Sequence, residues 1–269
     1  MSLGLYREAE AQLQQALATE RRLLGGDQPT TIASSHQLAD VLWYRGRLKE
    51  AEALYQDVVI RRERAMGPDH PDTLRAQFDL ASAYLLENRL DETEQLGVRV
   101  LNAQRRVLGP HHPDTASSLN NLQAIYFRQG RYVDALPIAE EVVALRRRLF
   151  GDQHPQTLMA LHNLATVYDG MGRYADAERS YLALLDTKRR VLGESHPETA
   201  MTELKLGAMY EKQGGFDKAE FLLLAAYAGC EGALGRQHAR TQSAVKQLVS
   251  LYERWGKVAK AAEWRAKLQ

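Results

Sequence analysis

One eight-residue signature returns every 42 residues, and that spacing constrains the fold more than any other feature. Met66-Gly67-Pro68-Asp69-His70-Pro71-Asp72-Thr73 is followed 42 residues on by Leu108-Gly109-Pro110-His111-His112-Pro113-Asp114-Thr115. The same step leads to Phe150-Gly151-Asp152-Gln153-His154-Pro155-Gln156-Thr157 and Leu192-Gly193-Glu194-Ser195-His196-Pro197-Glu198-Thr199. Worn copies flank these at Leu24-Gly25 and Leu234-Gly235. Such self-similarity is the mark of a stacked repeat architecture.

Each unit reads as two helices. After His-Pro runs an apolar ladder such as Leu119, Leu122 and Tyr126, at helical spacing. A breaker follows: Gly46, Gly130, Gly172, Gly214 and Gly256, with Asn88 in the remaining copy. A longer second helix comes next, its stripe exemplified by Ala51, Leu54, Tyr55, Val58 and Val59. It ends at Leu-Gly, where glycine is expected to supply a left-handed cap. Proline suits the first turn of the helix after it. Two helices cannot bury an apolar face alone, whereas stacked pairs share one. The expected fold is an all-α, right-handed α-solenoid of antiparallel helix pairs.

The phase divides the chain into an N-terminal half repeat, residues 1–23, and six repeats over 24–269, the last truncated and capping. Gly4 lies 42 residues before Gly46, so the chain enters at a second helix. Leu5, Leu13 and Leu17 on that helix are expected to lack a partner, which predicts self-association through this end. Pro137 predicts a second helix that starts late or bends. In the second full repeat Asn88, Thr93 and Gly97 depart from the pattern, and fast amide exchange is expected there. Trp255 and Trp264 are expected to pack at the C-terminal end, with Arg265 making it polar.

Composition excludes several classes. Lys plus Arg is 35 and Asp plus Glu is 34, a net charge of +1 that gives no global attraction to nucleic acid or anionic membrane. The single cysteine, Cys230, cannot form an internal disulfide, which fits a reducing, cytoplasmic setting. No apolar run approaches the roughly 20 residues of a membrane helix. No phosphate loop, dinucleotide fingerprint, His-Glu-x-x-His or nucleophile elbow is present. No catalysis, cofactor or metal is expected. Cys230 reads as a neutral buried thiol, and His70, His112, His154, His196 and His238 read as turn or cap residues.

Tyr132…Ala135…Ala139 and Tyr174…Ala177…Tyr181, each after a Leu-x3-Tyr-x3-Gly helix, resemble tetratricopeptide repeats. The usual period is 34 residues; the 42-residue period with its Leu-Gly-x-x-His-Pro-x-Thr connector is similar to the kinesin light chain type. Asn120-Asn121-Leu122-Gln123-Ala124-Ile125-Tyr126 resembles the Asn-Asn-Leu-Ala helix of that type. The C-terminal stretch resembles arrays that follow Ser/Thr kinase domains in bacterial multidomain proteins.

The resemblance implies a noncatalytic interaction scaffold that binds a peptide segment or protein partner along the first helices. The alternative is a regulatory or oligomerisation arm of a larger protein such as a bacterial kinase. Carried over position by position, the groove candidates are Gln37, Asp79, Asn120, Asn121, His162, Asn163 and Lys205, with Arg128 adding charge selectivity. Amides suit an extended backbone because they donate and accept. They serve equally to join adjacent repeats, and the residues leave that choice open. The chaperone carboxylate-clamp pattern is absent, since Asn120 pairs with Ala124 and His162 with Thr166. A column of Arg64, Arg106, Arg148 and Arg190 marks the ends of the second helices: either helix-end electrostatics or a basic edge for acidic partners.

Overall fold

The computed structural model describes residues 3–268. Among these, thirteen helices and no strand are found. They are α1 (Leu3–Leu23), α2 (Pro29–Tyr44), α3 (Leu48–Met66), α4 (Pro71–Leu86), α5 (Leu90–Val107), α6 (Pro113–Arg128), α7 (Tyr132–Phe150), α8 (Pro155–Gly170), α9 (Tyr174–Leu192), α10 (Pro197–Lys212), α11 (Phe216–Leu234), α12 (Ala239–Arg254) and α13 (Val258–Arg265). Even-numbered helices are the first helices of each pair and odd-numbered ones the second. The chain divides into two compact units, one up to Ile138 and one from Ala139 onward.

The glycine, histidine, proline and threonine of the connector signature each have a structural task. The second helices end on glycines such as Gly67 (φ 91, ψ 161), Gly193 (φ 95, ψ 161) and Gly235 (φ 85, ψ 164). This corrects the expected left-handed cap. The backbone lies in the extended mirror region, which essentially only glycine occupies. The histidine then caps the next helix. The backbone N–H groups of Asp72, Asp114, Gln156, Glu198 and Arg240 donate to Nδ1 of the histidine two residues earlier, at 3.1–3.2 Å. Proline follows at the first helical position of α4, α6, α8 and α10, where no N–H is needed. Finally the threonine hydroxyl donates to the glycine carbonyl, as from Thr115 to Gly109 (2.9 Å) and Thr199 to Gly193 (2.9 Å).

The breaker inside each repeat is a different device. The N–H of Gly46 donates to Trp43 O, and that of Arg47 to Leu42 O. This is the Schellman pair, with its C′ residue left-handed. Gly46, Gly130, Gly172, Gly214 and Gly256 have φ of 71–78°, and Asn88 has φ 60. Asparagine tolerates this conformation, which explains why it replaces glycine here and never at the connector.

In the unit up to Ile138, Leu17, Ile32, Leu38, Leu42, Tyr55, Val58 and Leu80 form a buried core. Leu17 is fully buried there and Leu13 packs beside it, so the expectation that both lack a partner is corrected. α1 packs against α2 and leaves Leu5 55% exposed. In the unit from Ala139, Tyr181, Leu206, Met209, Leu223, Leu248, Tyr252 and Trp264 dominate the core. Each such side chain contributes about 1.5–3 kcal/mol by leaving water. Trp264 is buried against Tyr227, Trp255 stacks on Phe216, and Arg265 is exposed. Cys230 is buried, and burial pushes its thiol up. Pro137 sits inside α7, yet α7 starts at Tyr132, 42 residues after α5 starts at Leu90, so no late start occurs.

Candidate partner-binding face

Some first helices place an exposed residue directly before a buried leucine, as with Gln37 before Leu38 and Lys205 before Leu206. In the unit up to Ile138, Gln37 is exposed, while Asp79, Asn120 and Asn121 are half-buried. In the unit from Ala139, Lys205 is exposed, and His162 and Asn163 are half-buried.

Several of these side chains join one first helix to the previous one. His36 Nε2 lies 2.8 Å from Asp79 Oδ2. Asn121 Nδ2 donates to Ser82 Oγ at 2.8 Å. Arg128 donates to the Leu85 carbonyl at 2.6 Å. In the other unit Lys212 donates to Asp169 at 2.9 Å. Gln247, Ser250 and Arg254 all donate to Glu211, which is only 2% exposed. Asp79, Asn121 and Arg128 thus make contacts between adjacent first helices. Arg128 spends one donor on a backbone carbonyl, which tempers the expected charge selectivity.

His162 stands apart. Its ring meets Tyr181 edge-on at 5.9 Å, and Nδ1 is buried with no hydrogen-bond partner among the described residues. Burial, reinforced by Lys188 and Lys205, pushes its pKa down to about 4. The imidazole is therefore neutral near pH 7, with one buried ring nitrogen unpartnered among the described residues.

The arginine column is exposed at all four positions, Arg64, Arg106, Arg148 and Arg190. Arg106 pairs with Asp69 of the preceding connector at 2.6 Å and Arg190 with Asp186 of its own helix at 3.0 Å. Two stronger cation columns escaped the sequence reading. Arg62 and Lys188 are buried and donate to the carbonyls of Asp72 (2.7 Å) and Glu198 (3.0 Å) at the start of the next helix. Arg47, Arg89 and Arg131 each bond an acid three residues on and a glutamate 37 residues back: Glu10, Glu52 and Glu94. Arg89 and Arg131 also lie over the rings of Tyr84 (4.0 Å) and Tyr126 (4.3 Å). The signal was present, since arginine and glutamate recur at the 42-residue step.

The sequence matches the tetratricopeptide repeat family over residues 1–59, 33–105, 123–189 and 170–232. The chain belongs to the tetratricopeptide repeat family. No curated protein matches it significantly. Among solved structures, a kinesin light chain-like repeat protein of Podospora anserina is 26% identical, with a TM-score of 0.67, covering 77% of this chain and 98% of that one. BtubC, a bacterial kinesin light chain-like protein from P. vanneervenii, is 18% identical with a TM-score of 0.51, covering 96% and 87%. The apo form of RapI is 12% identical with a TM-score of 0.70, covering 93% and 68%. This tetratricopeptide array is thus an all-α solenoid of the kinesin light chain-like type. Such arrays are generally noncatalytic scaffolds. None of the described helices is long and apolar enough to cross a membrane.

Proposed function

We propose that the chain is an interaction scaffold that holds an extended peptide segment against the outward face of its first helices. The observation that carries this reading, in each unit by itself, is the recurrence of polar side chains partly or fully open to solvent: Gln37 and Asn120 in the unit up to Ile138, and Asn163 and Lys205 in the unit from Ala139. Amide and ammonium groups spaced by a repeat can grip a peptide backbone without fixing its sequence. A preformed helical face also binds without much rearrangement.

The test is selection of peptide ligands from a displayed random library against the full chain, followed by titration of Asn163→Ala with Lys205→Ala. A tenfold or greater loss with the helical signal unchanged supports the reading. Unchanged affinity refutes it. The alternative, an oligomerisation or regulatory arm, draws on the exposure of Leu5 and Leu23 along α1. Concentration-dependent light scattering that rises with a dimer and collapses on Leu23→Glu would favour it.

A further inference from the structure

The unit up to Ile138 gathers three metal-ligating side chains at one point of its first-helix face. α2 supplies His36 and Asp40, one turn apart, and α4 supplies Asp79. The ligand atoms of the three residues all lie within 4.8 Å of one another. His36 Nε2 is 2.8 Å from Asp79 Oδ2 and 4.0 Å from Asp40 Oδ1. Tetrahedral donors at about 2.1 Å from a zinc ion lie roughly 3.4 Å apart, so modest side-chain shifts would bring the three atoms into register.

The surroundings resemble a built site. His36 is only 7% exposed, whereas the side chains of Asp79 and Asp40 remain 25% and 44% open, leaving an approach from solvent. Tyr55 of α3 donates to Asp40 Oδ1 at 2.8 Å and stands edge-on to the His36 ring at 5.7 Å. A hydrogen-bonded ligand carboxylate of this kind is the usual outer support of a metal ligand. Two carboxylates, Asp40 and Asp79, face one imidazole nitrogen of His36. The positive charges nearby are Arg62, which is engaged with the Asp72 carbonyl, and exposed Arg75.

The fold does not require this grouping. Three repeats on, the same scaffold positions hold His162, Thr166, Tyr181 and Lys205. The tyrosine still meets its partner, Tyr181 to Thr166 at 2.9 Å, and the ring contact of 5.9 Å is preserved. A lysine has replaced a carboxylate, so the second copy repels a cation that the first would attract. No other repeat places a histidine and two carboxylates at these positions.

We propose that His36, Asp40 and Asp79 form a binding site for one zinc ion, with at least one coordination position open toward solvent. One nitrogen and two carboxylate oxygens suit a borderline divalent ion better than magnesium or calcium, which prefer oxygen shells of six or more. The metal would bond the Nε2 lone pair of the tautomer of His36 that carries its proton on Nδ1.

Zinc alone, titrated calorimetrically into the full chain, tests this, with cobalt as a spectroscopic stand-in. One equivalent should bind saturably and raise the thermal midpoint with zinc concentration. Cobalt should give visible absorption that zinc abolishes. His36→Gln and Asp79→Asn should each weaken binding at least tenfold, while the exposed His111→Gln should not. Should His36→Gln fail to fold, Asp40→Asn, at a half-open position, carries the same expectation. Absence of saturable binding by the folded wild type, or equal affinity in Asp79→Asn and Asp40→Asn, overturns the proposal.

Discussion

Arg89, at the N-terminal cap of α5, reaches back 37 residues to the carboxylate of Glu52 on α3. It also bonds Glu92 and lies over the Tyr84 ring, so one guanidinium ties two second helices and one first helix together. Burial alone would raise the Glu52 carboxyl, but Arg89 and Lys49 hold it below its ordinary value. Arg47 with Glu10 and Arg131 with Glu94 repeat the arrangement within the same unit. At the far end of the chain two lysines, Lys257 and Lys260, converge on Glu220 instead.

These ties, and not the exposed arginine column, should govern stability. Arg89→Ala should lower the thermal midpoint clearly, and Arg64→Ala should leave it within error. The contribution also has a pH sign. The folded Glu52 value is depressed, so its stabilisation is present above the unfolded carboxylate value and fades as pH falls through the folded one. Wild type and Glu52→Gln should therefore converge in midpoint as pH is lowered through 4. Parallel curves would exclude the tie as a source of stability.

The two glycine classes should respond differently to asparagine. Gly172→Asn enters a left-handed position that Asn88 already fills elsewhere, and should cost less than about 1 kcal/mol. Gly193→Asn enters the extended mirror region and should cost about 1–3 kcal/mol. Chemical denaturation of both variants measures the difference.

Two helical glycines also separate. A Cβ on Gly97 would meet only Ile125 Cδ1 at 3.9 Å, so Gly97→Ala should stabilise by about 0.5–1 kcal/mol. A Cβ on Gly207 would fall 2.8 Å from Leu223 Cγ, where α10 and α11 pack closely. Gly207→Ala should destabilise by about 1–3 kcal/mol. Opposite signs in denaturation midpoints are the expected result.

His162 supplies a second pH signature. Its folded pKa of about 4 lies below the ~6.5 of an unfolded histidine. Between those values the unfolded chain binds the extra proton, so stability falls as pH drops from about 6.5 toward 4. The loss attributable to this residue is on the order of 2–3 kcal/mol. The difference between wild type and His162→Gln, followed across that range, isolates it.

The fold was legible because its determinants are local and periodic. Proline at the first helical position and histidine at the cap act within a few residues, so the 42-residue step announces the helix starts. What escaped depends on partners distant in sequence. Arg89 and Glu52 are 37 residues apart, and only stacking reveals that they meet. The pattern also could not tell a left-handed glycine at 130 from an extended one at 193, although Asn88 hinted at the difference. On the first-helix face the 42-residue step picks out equivalent positions, but it does not reveal that Asn121, Asp79 and Arg128 contact the neighbouring first helix. Leu17 was misread because α1 faces the core along the stripe that holds it, leaving Leu5 outside.

The most direct measurement of the central claim is hydrogen exchange of the full chain with and without a selected peptide ligand. Binding to the unit from Ala139 should slow amide exchange in α8 and α10 and leave α9 and the helix end near Arg190 unchanged. Protection confined to α9 and that helix end would contradict the first-helix face as the site.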